Sequence, residues 1–179
     1  MAGYVPARVR YSRIDAIVRD LLDDHDVVGP AVPVDGIARA LGLEIKEGKL
    51  GDVSGMLVRT DAGAVIGVNS KHSEGRKRFT IAHELAHFLL HTGLLTHVDR
   101  DFRVNYRNEE SSQATNVEEI EANYFAASLL MPFDFLEMLD AEDAVADDEE
   151  AAALARTFGV SQHAMSLRLA NVYGRYKPF

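Results

Sequence analysis

Hydrophobic residues in the first 45 positions recur at the spacing of α-helices. The segment from Ser12 to His25 has apolar residues three or four positions apart, which predicts an amphipathic helix. A second, shorter helix is expected within the segment from Pro33 to Ile45, ending at Gly42, because glycine commonly terminates helices. Both helices are predicted to pack on a core formed by the rest of the chain.

The pattern changes to that of β-strands after Val53. Two β-prone runs, Met56 to Arg59 and Val65 to Val68, flank the turn-forming residues Asp61-Ala62-Gly63, and this order predicts a hairpin. The segment from Leu43 to Lys46 is a candidate for a neighbouring strand. We therefore expect a small β-sheet beside the helices.

The strongest helical signals lie further along the chain. The stretch FTIAHELAHFLLH, Phe79 to His91, is apolar almost all round, which predicts a buried helix. Another helix is predicted from Val117 to Met131, where Pro132 ends it, and the residues that follow indicate one or two further turns. Between these two helices the segment from His97 to Asn116 is polar and aperiodic, which predicts a long surface loop.

The C-terminal part of the chain opens with the acidic segment AEDAVADDEE, which predicts a solvated linker whose last carboxylates favour a helix N-terminus. The following stretch, EAAALARTFGVSQHAMSLRLANV, has the outline of a helix-turn-helix. We therefore expect two regions, a main domain of residues 1–139 and a helical segment of residues 140–179. The predicted fold class is α+β.

Composition narrows the chemistry that the chain can perform. Its 179 residues, 47% of them hydrophobic, suffice for one main core. No window approaches the roughly 18 to 20 apolar residues that cross a bilayer, and the N-terminus lacks a signal-peptide layout, so we expect a soluble cytoplasmic protein. Because the chain has no cysteine, any metal must be held by His, Asp or Glu. The net charge of -9 disfavours general affinity for nucleic acid.

Two histidines and a glutamate in the buried helix have the spacing of a metal site. His83 and His87 lie four residues apart on one helical face, so both imidazoles can bind one ion. A zinc-bound water molecule has a pKa of only about 7. Glu84 can accept its proton as this water attacks a carbonyl. Buried ionisable groups are costly unless they are paired or bound to a metal, which strengthens this interpretation.

His91 continues the four-residue step but lies about 12 Å along the helix from His83, whereas metal–nitrogen bonds measure only about 2.0 to 2.1 Å. We expect His91 to support the ligands from outside, to be a cation at the helix C-terminus or to be a hydrogen-bonding core residue, with direct ligation as the remaining alternative. The other histidines are interpreted as ordinary surface or packing residues: His25, His72, His97 and His163.

The third ligand must come from another element, and the helix that begins at Val117 offers three glutamates. At about 100° per residue, Glu119 and Asn123 share an otherwise apolar stripe that is expected to face inward. Glu118 and Glu121 fall on the opposite side, where a solvent-facing edge is expected. Glu119 is therefore the preferred third ligand and Glu121 the alternative. The side-chain oxygen of Asn123 can accept the free ring N–H of a ligating histidine.

Two phrases, HELAHFLLH and EIEANYFAASLLMP, together resemble the ImmA/IrrE family of zinc-dependent metallopeptidases, and the likeness extends in looser form from about Pro33 to the C-terminus. The resemblance implies a zincin-like fold in which His83, His87 and Glu119 hold zinc, with manganese or iron as alternative metals. Glu84 would then be the catalytic base. It also implies a substrate class, helix-turn-helix repressors that are cleaved or displaced to switch on a stress, mobile-element or prophage programme. Some family members form toxin–antitoxin-like pairs with such a repressor.

The remaining roles stay open at this point. Tyr106, Arg107 and Tyr124 are near enough in sequence to stabilise an oxyanion, although we expect each to be structural. One alternative function is a sensor that sequesters a repressor without cutting it. Another is a DNA-binding regulator that uses the C-terminal helices. Direct DNA binding is not expected, because Arg168 is the one charged partner for a phosphate or a guanine in the second of those helices.

Overall fold

The structure is a computed structural model that describes residues 8–61, 63–91, 96–99 and 114–174. It has the expected α+β fold, a small mixed sheet packed against helices. The elements follow the chain in this order: α1 (Tyr11–Asp24), α2 (Val34–Ala40), β1 (Leu43–Gly48), β2 (Gly55–Thr60), β3 (Gly63–Asn69), α3 (Glu74–Leu90), β4 (Thr96–Asp99), α4 (Ala114–Leu130), α5 (Phe133–Met138), a 3-10 helix (Asp143–Val145), α6 (Asp148–Phe158) and α7 (Gln162–Val172).

The two N-terminal helices are confirmed. α1 buries Ile14, Val18 and Leu21, the apolar stripe that its spacing predicts, and packs on α4. α2 is shorter than the segment in which it was predicted, and the chain turns at Gly42 with a positive φ of 84°. Glycine adopts this left-handed conformation without the steric cost of a side chain, so the chain can enter β1 directly.

In the described part of the chain the strands form a sheet of four in the order β1-β3-β2-β4. β2 and β3 make the predicted antiparallel hairpin. β1 lies parallel to β3 with Leu43 opposite Ala64, which confirms the neighbouring strand. One face of the sheet buries Leu57, Ile66 and other apolar residues against α3. The sheet therefore lies directly against the helix that carries the HELAH sequence.

The strand β4 corrects the prediction of a surface loop from His97 to Asn116. Thr96–Asp99 pairs antiparallel with β2, so that Gly55 lies opposite Asp99 and Leu57 opposite His97. The helix α4 also begins within the predicted loop, at Ala114, and the rest of that segment lies outside the described residues. β4 lacks an apolar pattern because it is an edge strand, and backbone pairing with β2 defines it.

The helix α3 lies between the sheet and α4. As its composition predicts, it is buried over most of its length, with Ala82, Leu85 and Ala86 fully enclosed. Phe125 and Leu129 of α4 are also fully buried in the same hydrophobic cluster. The polar side chains of α3 are therefore enclosed in a core, where each of them needs a partner.

Two arginines link the ends of α3 to other elements: Arg59 lies on β2, and Arg78 lies on α3 itself. Nη2 of Arg59 on β2 donates to the carbonyl oxygens of His87, at 2.9 Å, and Phe88, at 3.0 Å. These carbonyls belong to the last turn of α3, where the helix supplies few further amide donors, so a cationic donor satisfies them well. Near the other end, Nε of Arg78 donates to the carbonyl oxygen of Gly159 at 3.1 Å, between α6 and α7.

The C-terminal helices have the predicted helix-turn-helix outline. Gly159 ends α6 with a φ of 66°, and the Ser161 hydroxyl accepts a hydrogen bond from the Ala164 amide at the start of α7. The acidic segment before them is not purely a solvated linker, since Ala141 and Ala144 are buried beside the 3-10 helix. The division between residues 139 and 140 stays a prediction. Within the described ranges, no helix is both long and apolar enough to cross a membrane.

Candidate metal centre

Four side chains from three elements converge on one point of the fold. They are His83 and His87 of α3, His97 of β4 and Glu119 of α4, and one donor atom from each lies within 4.8 Å of the others. The structure thus brings together the three ligands expected from the sequence and adds a fourth candidate. Imidazole nitrogen and carboxylate oxygen are donors that zinc and similar divalent ions accept, so the donor set fits a metal ion.

The donor atoms of the two α3 histidines face each other and the carboxylate. Nε2 of His83 lies 3.1 Å from Nε2 of His87, and each lies 3.4 Å from an oxygen of Glu119. Burial lowers the pKa of His87 to about 3, so its ring is neutral and at least one nitrogen carries a lone pair. Burial raises the pKa of Glu119, but hydrogen bonds with the surrounding histidines outweigh that effect and keep it well below its usual range. An ionised carboxylate beside the neutral imidazole of His87 is an arrangement that a cation stabilises.

The structure places His97 at the candidate metal centre, so its interpretation as an ordinary surface or packing histidine was wrong. Its ring is stacked on that of His87 with the centroids 3.7 Å apart. Its Nε2 atom lies 2.9 Å from Oε1 of Glu119, and its Nδ1 atom lies 3.1 Å from Oε2 of Glu84. Burial lowers the pKa of His97, but the hydrogen bonds with both carboxylates outweigh it and raise the pKa to about 10. The sequence reasoning missed His97 because it stands alone in a polar segment without helical spacing.

Glu84 lies beside the four candidate ligands rather than among them. Its side chain is fully buried, and its Oε2 atom is paired with His97. Its Oε1 atom makes no hydrogen bond with any described residue. Buried carboxylate oxygens nearly always have a partner, so this oxygen indicates a partner outside the described residues.

Asn123 supports one of the candidate ligands, as expected from the sequence. Its Oδ1 atom lies 3.2 Å from Nδ1 of His83. The amide oxygen can only accept, so the hydrogen lies on Nδ1 of His83, which leaves the lone pair on Nε2. Nε2 is the atom that faces Glu119. The hydrogen bond therefore orients the ring and selects the tautomer that can bind a metal.

Glu121 corrects the expectation of a solvent-facing edge on α4. Its side chain is fully buried, and it is outside the group of candidate ligands. Arg10, just before α1, donates to Oε2 of Glu121 from Nη2 at 2.6 Å and to Oε1 from its backbone amide at 2.8 Å. Because α1 covers the side of α4 that faces away from the metal centre, both sides of the helix are enclosed, and Ser128 is buried with it.

His91 connects Glu121 with the candidate ligand His87. Its Nε2 atom lies 3.1 Å from Oε2 of Glu121, and its Nδ1 atom lies 3.0 Å from Nδ1 of His87. Among the described residues it is not a member of the candidate ligand group. Of the roles expected for it, the structure supports that of a buried hydrogen-bonding residue next to a ligand, and the distance argument against direct ligation agrees with this.

Of the three residues considered for stabilising an oxyanion, Tyr124 is the one that the structure describes. Tyr106 and Arg107 lie outside the described residues. The hydroxyl of Tyr124 donates to Oδ1 of Asp15 on α1 at 2.8 Å, which is a structural link between α4 and α1. Arg168, the cation considered for DNA contact, is buried, and its Nε atom donates to the carbonyl oxygen of Met131 at 3.1 Å. Because Arg168 is buried, it does not offer the charged contact with DNA on which the DNA-binding alternative depends.

Comparison with known proteins identifies a matching family and a similar fold. Residues 38–170 match the IrrE N-terminal-like domain, which defines a family of peptidases. No curated protein sequence matches the chain significantly. Among solved structures, a Mycobacterium tuberculosis transcriptional regulator has a similar fold, with a TM-score of 0.63 and 20% sequence identity over 91% of this chain and 48% of that chain. The chain spans about half the length of that regulator, and the likeness concerns the fold alone.

Proposed function

From the match of residues 38–170, the chain belongs to the IrrE N-terminal-like family of peptidases, and we propose that this chain is a metal-dependent endopeptidase. The observation that carries the proposal is the position of Glu84. This carboxylate is buried one residue after a candidate ligand, and one of its oxygens has no partner in the described part of the chain. A general base needs a lone pair that is not already engaged, next to the reacting water.

We assign the metal to Nε2 of His83, Nε2 of His87 and the carboxylate of Glu119, which lie within one cluster. Zinc is the proposed ion, because it accepts mixed nitrogen and oxygen ligands, and manganese or iron could take its place. When bound, a divalent ion supplies Lewis acidity that polarises a carbonyl oxygen and acidifies a nearby water molecule. Asn123 holds the His83 ring in the ligating tautomer through its Oδ1 atom.

Glu84 would move the proton in the reaction. In this proposal Oε1 of Glu84 accepts a proton from the attacking water and then delivers it to the nitrogen of the leaving amine. The full burial of Glu84 excludes bulk water from this carboxylate, which makes its hydrogen bonds stronger than they would be in solvent. The backbone of β2 at Gly55 lies close to the same oxygen, and a Cβ atom at this position would stand 3.2 Å from it.

The proposed substrate is a helix-turn-helix repressor in the cytoplasm. This choice rests on the resemblance of the HELAHFLLH and EIEANYFAASLLMP phrases to ImmA/IrrE proteins. The similar solved structure carries the description of a transcriptional regulator, which agrees with a role in controlling transcription. Cleavage of the repressor would switch on a stress, mobile-element or prophage programme.

The experiment is a cleavage assay with the repressor encoded beside the gene of this protein. The metal-loaded protein is expected to produce discrete fragments, and a chelator is expected to prevent them. The variant Glu84→Gln should keep its metal but cut at least about a hundredfold more slowly, because it cannot accept the proton. A Glu84→Gln protein that cuts at the normal rate would overturn the proposed mechanism.

A second candidate function is sequestration of the repressor without cleavage. It is favoured by His97, which engages Oε2 of the proposed base and one oxygen of the proposed ligand Glu119. If the repressor binds to the metal-loaded protein but stays intact under every condition, sequestration replaces proteolysis as the function. Direct binding to DNA has no comparable support, since Arg168 is buried.

A further inference from the structure

The strand β4 covers one edge of β2 next to the candidate metal centre. Thr96–Asp99 pairs with the residues from Gly55 to Val58 in antiparallel register. An uncovered sheet edge offers a row of unpaired N–H and C=O groups, and extended peptides bind to such edges as an added strand. β4 therefore takes the place at β2 that an extended substrate would use.

We propose that His97 is a fourth protein ligand of the metal and that β4 thereby closes the centre against peptide substrates. This inference rests on the proposed function, because it describes how the access of substrate to the same centre is controlled. It adds a fourth ligand, and a control of substrate access, to the three ligands and the general base of a metallopeptidase. Peptide binding then requires that β4 leaves the edge of β2 and that His97 leaves the metal with it.

The number of donors supports this inference. Zinc sites with four protein ligands are closed and structural, whereas catalytic sites keep one position for water or substrate. Here Nε2 of His97 lies 2.9 Å from the nearer Glu119 oxygen, and a donor atom of His97 lies within 4.8 Å of those of the other three residues. The four donors that a closed zinc site would use are available here from His83, His87, Glu119 and His97.

The second nitrogen of His97 acts on the proposed base. Nδ1 lies 3.1 Å from Oε2 of Glu84, so one side chain occupies both the fourth position and an oxygen of the carboxylate that would accept the proton. A residue placed for packing alone would not need both ring nitrogens. His97 uses them on carboxylates from two different helices, α3 and α4, although it lies opposite the apolar Leu57 in the sheet.

The geometry of β4 allows it to be released. The described strand is four residues long, and its exposed residues Thr96 and Val98 alternate with the inward-facing His97 and Asp99. Short edge strands have few ladder hydrogen bonds to lose, so competition by another extended segment is possible at modest cost. A substrate strand that pairs with β2 would recover these hydrogen bonds, which makes the exchange nearly balanced in backbone pairing.

The test compares His97→Ala and His97→Gln with the control Val98→Ala, which changes the neighbouring exposed residue of the same strand. Zinc affinity is measured by competition with a chromogenic chelator, and binding of acetohydroxamate, which needs open positions on the metal, is measured on the zinc-loaded proteins. Both His97 variants should bind zinc at least about tenfold more weakly, the loss that removing even a supporting residue causes. They should also bind acetohydroxamate about tenfold more tightly, whereas Val98→Ala should match the wild type.

Two outcomes would overturn the inference. Zinc affinity that is unchanged in both His97 variants would mean that His97 is not a ligand, and unchanged hydroxamate binding would mean that it does not close the site. The glutamine variant keeps a polar side chain of similar reach, so it provides the answer if the alanine variant does not fold. If both measurements change as expected but no variant cuts any peptide, the ligand assignment stands and the proposed peptidase function fails.

Discussion

The Nδ1 atoms of His87 and His91 lie 3.0 Å apart, one helical turn from each other on α3. Nε2 of His91 donates to the carboxylate of Glu121, so Nδ1 of His91 is left as an acceptor. It accepts the hydrogen on Nδ1 of His87, and the lone pair of His87 is then on Nε2, the atom that faces Glu119. A buried carboxylate thus sets the tautomer of a candidate ligand through an intervening histidine.

Replacement of His91 by alanine should therefore weaken metal binding without removing a ligand. We expect zinc affinity to fall about 10- to 100-fold, the usual effect of losing a group that orients a ligating histidine. Competition with a chelator measures this change. His163→Ala, at an exposed position near the start of α7, is the matched control and should leave the affinity unchanged. Equal affinities for the two variants would contradict the role assigned to His91.

The ion pair between Arg10 and Glu121 should stabilise the fold. Removing one partner of a buried pair typically costs about 3 to 5 kcal/mol. Because the Arg10 side chain is 18% exposed, we expect Arg10→Ala to lower the free energy of unfolding by about 3 kcal/mol at neutral pH. Urea unfolding of both metal-free proteins measures the difference, with Arg13→Ala, an exposed arginine of α1, as control.

The same ion pair predicts a dependence on pH. Burial raises the pKa of Glu121, but hydrogen bonds from Arg10 and His91 outweigh it and lower the pKa from 4.5 to about 2. The folded-state pKa is below the unfolded value, so the contribution is complete above about pH 4.5 and is lost as the pH falls towards 2. The stability difference between wild type and Arg10→Ala should accordingly shrink below pH 4.5. A difference that grows in acid would contradict this assignment.

Adjacent glutamates on α4 provide a test of the third ligand. Glu119→Gln replaces an ionised carboxylate at the metal centre with a neutral amide, which is a poor ligand, and we expect zinc affinity to fall at least about a hundredfold. Glu118→Gln removes the same charge from the neighbouring position, outside the candidate ligand group. Its affinity should stay within about twofold of the wild type. Metal content after dialysis against a weak chelator distinguishes the two, and similar losses would argue against Glu119.

Gly55 should not tolerate a side chain. A Cβ atom at this position would overlap with Cγ2 of the buried Thr80 on α3 and lie 3.2 Å from Oε1 of Glu84. Threonine is stiff at χ1, so the overlap forces β2 and α3 apart, and we expect Gly55→Ala to cost about 1 to 3 kcal/mol of stability. Gly36→Ala in α2, where the nearest atom is 3.8 Å away, should instead be neutral or slightly stabilising. Thermal unfolding of both variants tests the contrast.

The residues of the centre that were predicted from sequence share a property that His97 lacks. His83, His87 and Glu119 lie on long helices, where the spacing of apolar positions reports which side chains face the same way. His97 lies on a four-residue edge strand, and its position depends on backbone pairing with a segment 40 residues earlier in the chain. Such non-local pairing has no counterpart in the local pattern, so the prediction of a loop there was wrong.

Glu121 illustrates a different reason for error. The helical projection assumes that the side of α4 away from the metal is exposed to solvent. Instead, α1 and the preceding Arg10 cover that side, and Arg10 lies 111 positions before Glu121 in the sequence. A buried glutamate paired with an arginine and a histidine gives the same sequence pattern as a surface glutamate. Only the packing of α1 distinguishes them.

The attachment of α3 at both ends has a consequence for the C-terminal helices. Arg59 anchors the last turn to the sheet, and Arg78 ties the helix to the α6–α7 turn, where a Cβ atom at Gly75 would lie 3.2 Å from the backbone of Val160. The turn therefore bears directly on the first residues of the helix that carries both candidate histidine ligands. A change in the position of the α6–α7 turn would therefore reach α3 through the Arg78 hydrogen bond and the close packing at Gly75.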